Sequence, residues 1–178
     1  MRVIAGELGG RRLVAPEGTT TRPTSDRVRE ATFNALTSLG VLEGATVLDA
    51  FAGSGALGIE ALSRGARHCT FVERDRGALA ALRENLGRCG LGDDRARVVV
   101  GDGAACAGEW DLGLFDPPYA FDGWSTLLGA LTPAVAVCES GAPIDVPDGW
   151  AVVREKVYGA TVVAILRHEP PPEQEDPA

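Results

Sequence analysis

Apolar residues fall in short blocks along the chain, and the spacing within each block indicates the element it builds. Val3-Ile4-Ala5 and Arg12-Leu13-Val14 flank Gly9-Gly10, a turn dipeptide that tolerates positive φ, so residues 1–16 predict a β-hairpin. A polar loop runs from Thr19 to Pro23. Thr24, Ser25 or Asp26 can then cap a helix reaching about Leu39, with apolar positions Val28, Ala31, Phe33, Ala35, Leu36 and Leu39 and a stop at Gly40. From Ala45 the pattern alternates between strand and helix. Strands are predicted over Thr46–Ala50, His68–Glu73, Arg97–Val100, Asp111–Phe115 and Ala134–Cys138. Helices are predicted over Ala56–Arg64 (closed by Gly65), Asp75–Cys89 and Trp124–Leu131. This alternation predicts an α/β fold of the Rossmann-like, doubly wound kind, a mostly parallel sheet covered on both faces. Trp150–Tyr158 and Ala160–Arg167 are strand-like but separated only by Gly159, too short a link for a parallel crossover, so this last pair is antiparallel. Pro170 to Asp176 predicts a disordered tail.

Composition narrows the class. The chain has 178 residues, 45% hydrophobic and 24% charged, which fits one globular domain and excludes a disordered chain. Its N-terminus lacks the apolar region of a signal peptide, and no apolar run approaches the roughly 20 residues of a membrane span, so a cytoplasmic protein without membrane contact is expected. Cys69, Cys89, Cys106 and Cys138 lie 20, 17 and 32 residues apart, a spacing for buried thiols rather than a zinc or redox motif; no metal is expected. Seventeen basic residues against 25 acidic ones give a net charge of −8, unusual for a protein that holds nucleic acid. The charge is unevenly placed, however. Residues 1–29 carry six arginines against three acids, while the last ten residues carry four acids and no base.

Gly53-Ser54-Gly55-Ala56-Leu57-Gly58 matches G-x-G-x-x-G, follows a predicted strand and opens a predicted helix. Glycines there let a ligand approach the backbone, and the helix N-terminus supplies N–H groups. Glu73 ends the next strand, 20 residues after Gly53, where a carboxylate can accept from both ribose hydroxyls of an adenosine. A nicotinamide cofactor and S-adenosylmethionine both satisfy this pattern. Asp49, at the end of the first parallel strand, would sit badly beside a pyrophosphate but suits a cationic ligand with an amino-acid tail; a helix-capping or loop-stabilising role is the other reading. Asp102, in Gly101-Asp102-Gly103, can accept from an adenine amine or simply form a turn.

Asp116-Pro117-Pro118-Tyr119 follows the fourth predicted strand, at the carboxyl edge where open α/β sheets bind ligands. Two prolines fix φ and remove two backbone donors, leaving carbonyls as acceptors. An aspartate beside such a carbonyl makes a two-acceptor cradle for an –NH2 group, and the tyrosine offers a face for a planar ring. An exocyclic base amine is a weak nucleophile because its lone pair is delocalised; two acceptors holding its hydrogens favour a pyramidal nitrogen.

On these residues the chain resembles the class I S-adenosylmethionine-dependent methyltransferases with the (D/N)PP(Y/F/W) motif. The blocks Arg22–Asn34 (RPTSDRVREATFN) and Val47–Ala66 (VLDAFAGSGALGIEALSRGA), with Gly9-Gly10-Arg11-Arg12 and Lys156-Val157-Tyr158-Gly159, are similar to the RsmD-type 16S ribosomal RNA guanine-N2 methyltransferases over about residues 1–167. The resemblance implies a seven-stranded sheet with an antiparallel last strand. It also implies a substrate-facing extension over residues 1–40, a methyltransferase domain over 41–168 and a tail over 169–178. It implies S-adenosylmethionine contacts at Asp49, Gly53, Ser54, Gly55, Glu73 and Asp102, an amine cradle at Asp116 and Pro117, and a stacking ring at Tyr119. The RNA contacts would come from the hairpin and the Arg22–Arg29 segment. With Lys156 the single lysine, Arg11, Arg12, Arg22, Arg27 and Arg29 are expected to form the phosphate-contacting surface, unless Arg27 or Arg29 braces its helix by pairing with Glu30 or Asp26. A monomer acting on 16S RNA within an assembled or assembling small subunit is the expected state. Other readings are an adenine-N6 nucleic-acid methyltransferase, a protein-glutamine methyltransferase and a non-catalytic cofactor-binding assembly module.

Overall fold

The computed structural model describes residues 1–16 and 25–169. Arg22 and the acidic tail beyond residue 169 lie outside the described residues. Ser25 caps α1 (Asp26–Ser38), its side chain accepting from the Val28 N–H. The chain then runs through β1 (Thr46–Asp49), α2 (Ala56–Ser63), β2 (His68–Glu73), α3 (Arg76–Cys89), β3 (Ala96–Val100) and β4 (Leu112–Phe115). It ends through α4 (Trp124–Ala130), β5 (Val135–Ser140), β6 (Trp150–Tyr158) and β7 (Thr161–His168). Asp75 caps α3, accepting from the Ala78 N–H, so the predicted start at residue 75 is the cap itself.

The seven strands form one sheet in the order β3-β2-β1-β4-β5-β7-β6. Strands β1 to β5 pair in parallel, while β7 inserts antiparallel between β5 and β6. The one-glycine link between β6 and β7 turns at Gly159, where φ is +64°. Consecutive strand residues feed opposite layers. Val47, Phe71, Leu114 and Ile165 pack with Phe33, Leu36, Ile59, Leu62 and Leu82 of α1, α2 and α3. Leu48, Val72, Phe115 and Leu166 pack with Trp124, Leu127 and Leu128 of α4.

The two faces are unequally covered. Three helices lie on the first and α4 alone on the second, because only a 3-10 turn, Gly103–Ala105, interrupts the run from β3 to β4. Phe51, Phe121, Trp110 and Trp150 cover the gap from loops and strand ends. Among the described residues no helix is long and apolar enough to cross a membrane.

The N-terminal hairpin differs from its prediction. Its arms meet through one antiparallel bridge, Arg2 to Arg12, made by Val3 N–H to the Arg11 carbonyl and Leu13 N–H to that of Met1, and through one further hydrogen bond, Gly10 N–H to the Val3 carbonyl. Helix α2 takes the donors of Ile4, Ala5, Glu7 and Leu8. The Glu60 carboxylate accepts from the Ile4 N–H at 2.7 Å and the Ala5 N–H at 3.1 Å, while Ser63 accepts from Leu8 through its hydroxyl and from Glu7 through its carbonyl. Backbone groups spent on a helix cannot extend a ladder, so the arms remain irregular. Gly6 makes this docking possible: its φ is +82°, and a Cβ there would lie 1.8 Å from the Ser63 carbonyl oxygen. Val3, Leu8 and Leu13 share the core of α1 to α3.

Glu60 is fully buried and also accepts from Arg64 Nε at 2.7 Å. Glu60→Gln keeps the volume but turns an amide donor toward N–H groups that need an acceptor. Urea unfolding should register a loss of about 2–4 kcal/mol, the usual cost of a broken buried charge network; an unchanged midpoint and slope would contradict this role.

Candidate functional site

The sheet order reverses at β1, with β2 on one side and β4 on the other, and in such sheets the crevice beyond the carboxyl ends of the strands receives ligands. A cleft of about 460 Å³ opens there. Gly53, Ser54, Glu73, Asp102, Asp116, Pro117 and Tyr119 all line it, brought together from the ends of β1, β2, β3 and β4. Asp49 and Gly55 stand behind its wall.

Asp49 is buried, and its Oδ2 accepts from the Gly58 N–H at 2.9 Å. The carboxylate thus ties the end of β1 to the first turn of α2 and fixes the glycine loop between them. Gly55 supports the loop from below, with φ +81° and the Leu82 side chain 2.4 Å from where a Cβ would be. Burial is the main force on Asp49, raising its pKa to about 7. The Gly58 hydrogen bond opposes that shift, while the like charges of Asp116 and Glu73 add to it.

Glu73 is held by three backbone donors. Its Oε2 accepts from Gly53 at 2.8 Å, and its Oε1 accepts from Arg74 and Asp75, each at 2.8 Å. Of about four acceptor positions on a carboxylate, one on Oε2 remains for a ligand, fewer than two ribose hydroxyls would use together. Asp102 accepts from the Ala104 N–H at 3.0 Å and from Arg74 Nη1 at 3.2 Å.

Beyond β4, Pro117 is buried and Pro118 exposed; the Pro118 carbonyl accepts from the Phe121 N–H at 2.8 Å and closes the turn. Phe121 stands edge-on to Phe51 and to Trp124, with ring centroids 5.7 and 5.3 Å apart, so an aromatic file backs this turn. Tyr119 is 56% exposed. Its hydroxyl lies 3.3 Å from Thr161 Oγ1, and its ring edge packs against Gly141. The outer loop after β5 and the start of β7 therefore orient a ring that keeps a large open surface.

The predicted basic surface divides. Arg12 and Arg27 are exposed; Arg11 is exposed and donates through Nη1 to the Arg88 carbonyl at 2.9 Å. Arg29 corrects the expectation of a phosphate contact, for it is 1% exposed. Its Nη2 donates to the Arg2 carbonyl at 2.6 Å and to Asp26 Oδ1 at 3.0 Å, which is the bracing alternative, and the residue also lines the cleft. Sequence reasoning did not find Asn85, which is fully buried. It holds Val14 through both backbone groups and donates to the Ser54 carbonyl, joining the hairpin to the glycine loop. A buried asparagine late in an amphipathic helix was the available signal.

Residues 1–167 match the family described as Conserved hypothetical protein 95. YlbH of Bacillus subtilis (strain 168), to which an rRNA methyltransferase activity is ascribed, is 39% identical over 184 residues, spanning 94% of this chain and 98% of its own. The ribosomal RNA small subunit methyltransferase D of Escherichia coli (strain K12) is 36% identical over 185 residues, spanning 95% of this chain and 90% of its own. The solved structure of Escherichia coli yhhF, to which a methyltransferase activity is ascribed, matches with a TM-score of 0.82 at 37% identity, covering 95% of this chain and 98% of that one.

Asp49 generates a pH dependence of stability. An ordinary aspartate titrates near 3.8 and the buried one at about 7, so across that window the folded chain keeps a proton that the unfolded chain has lost. The contribution is present at low pH, and stability falls as pH rises through the window. Asp49→Asn, which cannot ionise, should flatten that fall in melting temperature; wild type and variant declining in parallel would contradict it.

Proposed function

The chain belongs to the RsmD family of rRNA methyltransferases, matched here as Conserved hypothetical protein 95, and on that premise we propose that it methylates the exocyclic N2 amine of a guanine in 16S ribosomal RNA, using S-adenosylmethionine. The observation that carries the reading is the meeting of the glycine loop, Glu73 and the Asp116–Tyr119 turn in one cleft.

The donor set fits this cofactor better than a dinucleotide. The Gly53 N–H is taken by Glu73 and the Gly55 N–H by the Ala52 carbonyl at 2.7 Å, so neither is free to cradle a pyrophosphate. Carboxylates at Glu73, Asp102 and Asp116 repel a polyanion and attract a sulfonium. Bound there, the cofactor supplies an electrophilic methyl group. Glu73 would hold its ribose through the remaining acceptor position and Asp102 its adenine amine, with Gly53 and Ser54 against its body and Asp49 fixing the loop from behind. A nearby cation would also favour the ionised form of Asp49.

For the target base, Asp116 and the Pro117 carbonyl would hold the amine hydrogens and turn the nitrogen lone pair toward the methyl. Tyr119, oriented by Thr161, would stack on the ring. Acting as a monomer in the cytoplasm, the chain would meet RNA through the exposed Arg11, Arg12 and Arg27 and through Arg22, with Met1, Ala15 and Pro16 of the hairpin arms contributing cleft lining. Few cations mean modest affinity for naked RNA, which favours an assembled or assembling small subunit as substrate.

Labelled S-adenosylmethionine incubated with small-subunit particles should yield N2-methylguanosine by mass spectrometry. Label in adenine, or in no nucleotide, would overturn the reading. Asp116→Ala should retain the fold and most cofactor affinity while slowing single turnover by about a hundredfold or more, the usual cost of a lost preorganised polar group; near-normal turnover would remove the amine cradle from the mechanism.

Replacing Arg11 and Arg12 together by Ala leaves the cleft lining intact. Particle methylation should fall, and the slope of log affinity against log salt should drop by somewhat under one unit for each phosphate no longer neutralised. Normal methylation across a salt series would exclude the hairpin as an RNA-contacting element.

A further inference from the structure

Arg29 carries a positive charge that the protein only partly answers. Its side chain is fully buried, yet among the described residues neither Nη1 nor Nε has a hydrogen-bond partner. Both interactions of Nη2 are accounted for, the Arg2 carbonyl and Asp26. The nearest buried carboxylate, Glu60, stands 3.9 Å from Nε, too far for a hydrogen bond. Glu60 accepts from Arg64 Nε at 2.7 Å, and from the Ile4 and Ala5 N–H groups as well. One buried carboxylate therefore serves two nearly buried guanidiniums. Asp26, with its side chain 48% exposed, is screened by water and offsets Arg29 weakly.

Unpaired N–H groups on a buried cation are costly unless something absent from the free protein accepts from them. The position of Arg29 indicates what that is. It lines the cleft beside Met1, Ser54 and Leu57, whereas Glu73, Asp102 and Asp116 contribute negative charge elsewhere in its lining. The other guanidinium of the lining, Arg74, is 72% exposed and paired with Asp102. The cleft is thus dipolar, with acids for a cationic centre and one buried, under-used cation for an anion. That pattern complements a zwitterion.

We infer that Arg29 binds the α-carboxylate of the cofactor's amino-acid end, through Nη1. The inference rests on the proposed S-adenosylmethionine reading and deepens it. The Arg2 carbonyl and Asp26 would hold the guanidinium in place, so that the N-terminal hairpin helps to build the cofactor site. Arg29 would then read the carboxylate while Glu73 reads the ribose, and the glycine loop would lie between them.

The test is calorimetric titration of the full chain with S-adenosylmethionine and with its decarboxylated analogue, which keeps the adenosine, sulfonium and amine. Wild type should bind the carboxylate-bearing ligand about tenfold to a hundredfold more tightly, the range for hydrogen bonds to a charged group. Arg29→Met, with an unchanged circular dichroism spectrum, should bring the two ligands to within about twofold by weakening only the first. Should that variant fail to fold, Arg29→Lys, which keeps the charge beside Asp26 and Glu60 but not the planar fork, should still cut the discrimination severalfold. Equal binding of both ligands by wild type overturns the carboxylate subsite and leaves the cofactor reading standing. Full discrimination in a folded Arg29 variant overturns the role of Arg29. Failure of wild type to bind either ligand overturns the cofactor reading itself, and the inference with it.

Discussion

The glycine loop is held by carboxylates, and the character of the cleft depends on that. Asp49 accepts from Gly58 behind the loop and Glu73 accepts from Gly53 at its front, each over a distance of 2.8 to 2.9 Å. A glycine-rich turn between strand and helix ordinarily offers free N–H groups to a phosphate. Here those groups are partly consumed by negative charge, so the backbone motif that cradles pyrophosphate elsewhere becomes a wall braced by carboxylates. Burial opposes ionisation of Asp49 strongly enough to raise its pKa to about 7, and only backbone hydrogen bonding, or a cation in the cleft, favours the charged form.

A second network couples the N-terminal forty residues to this site. Glu60 and Ser63 on α2 hold one arm of the hairpin, Asn85 on α3 holds the other, and Asn85 also donates to Ser54 in the glycine loop. Arg29 of α1 reaches the Arg2 carbonyl and the cleft lining together. The segment expected as a substrate-facing extension also forms part of the scaffold of the cleft. Force or binding energy applied to the hairpin would reach the glycine loop through Asn85 and the cleft lining through Arg29.

The sheet was legible because each strand is an apolar block bounded by glycine, proline or a charged turn, and β1 to β5 lie within two residues of their predicted bounds. The antiparallel ending followed from one glycine between two blocks. The regularity of the hairpin was not legible. Val3-Ile4-Ala5 has strand propensity, but its donors go to Glu60, more than fifty residues away, and local pattern carries no information on such a partner. Arg29 was misplaced for the same reason. An arginine one turn into a polar helix start reads as solvated, but packing against α2 and the N-terminal hairpin buries it. The cleft residues were legible because the ends of adjacent parallel strands converge whatever the rest of the chain does. The partners that orient them, Thr161 beside Tyr119 and Asn85 beneath Ser54, come from distant elements chosen by topology.

The central claim is that this cleft takes an adenosyl group bearing an amino acid rather than a dinucleotide. Equilibrium titration with S-adenosylhomocysteine, repeated in the presence of excess NAD, tests it most directly. The account predicts saturable binding of one molecule per chain, with an affinity that NAD leaves unchanged. Displacement of S-adenosylhomocysteine by NAD would contradict it, because Glu73 and Asp49 hold the Gly53 and Gly58 N–H groups of the loop and the carboxylates of the lining repel a pyrophosphate.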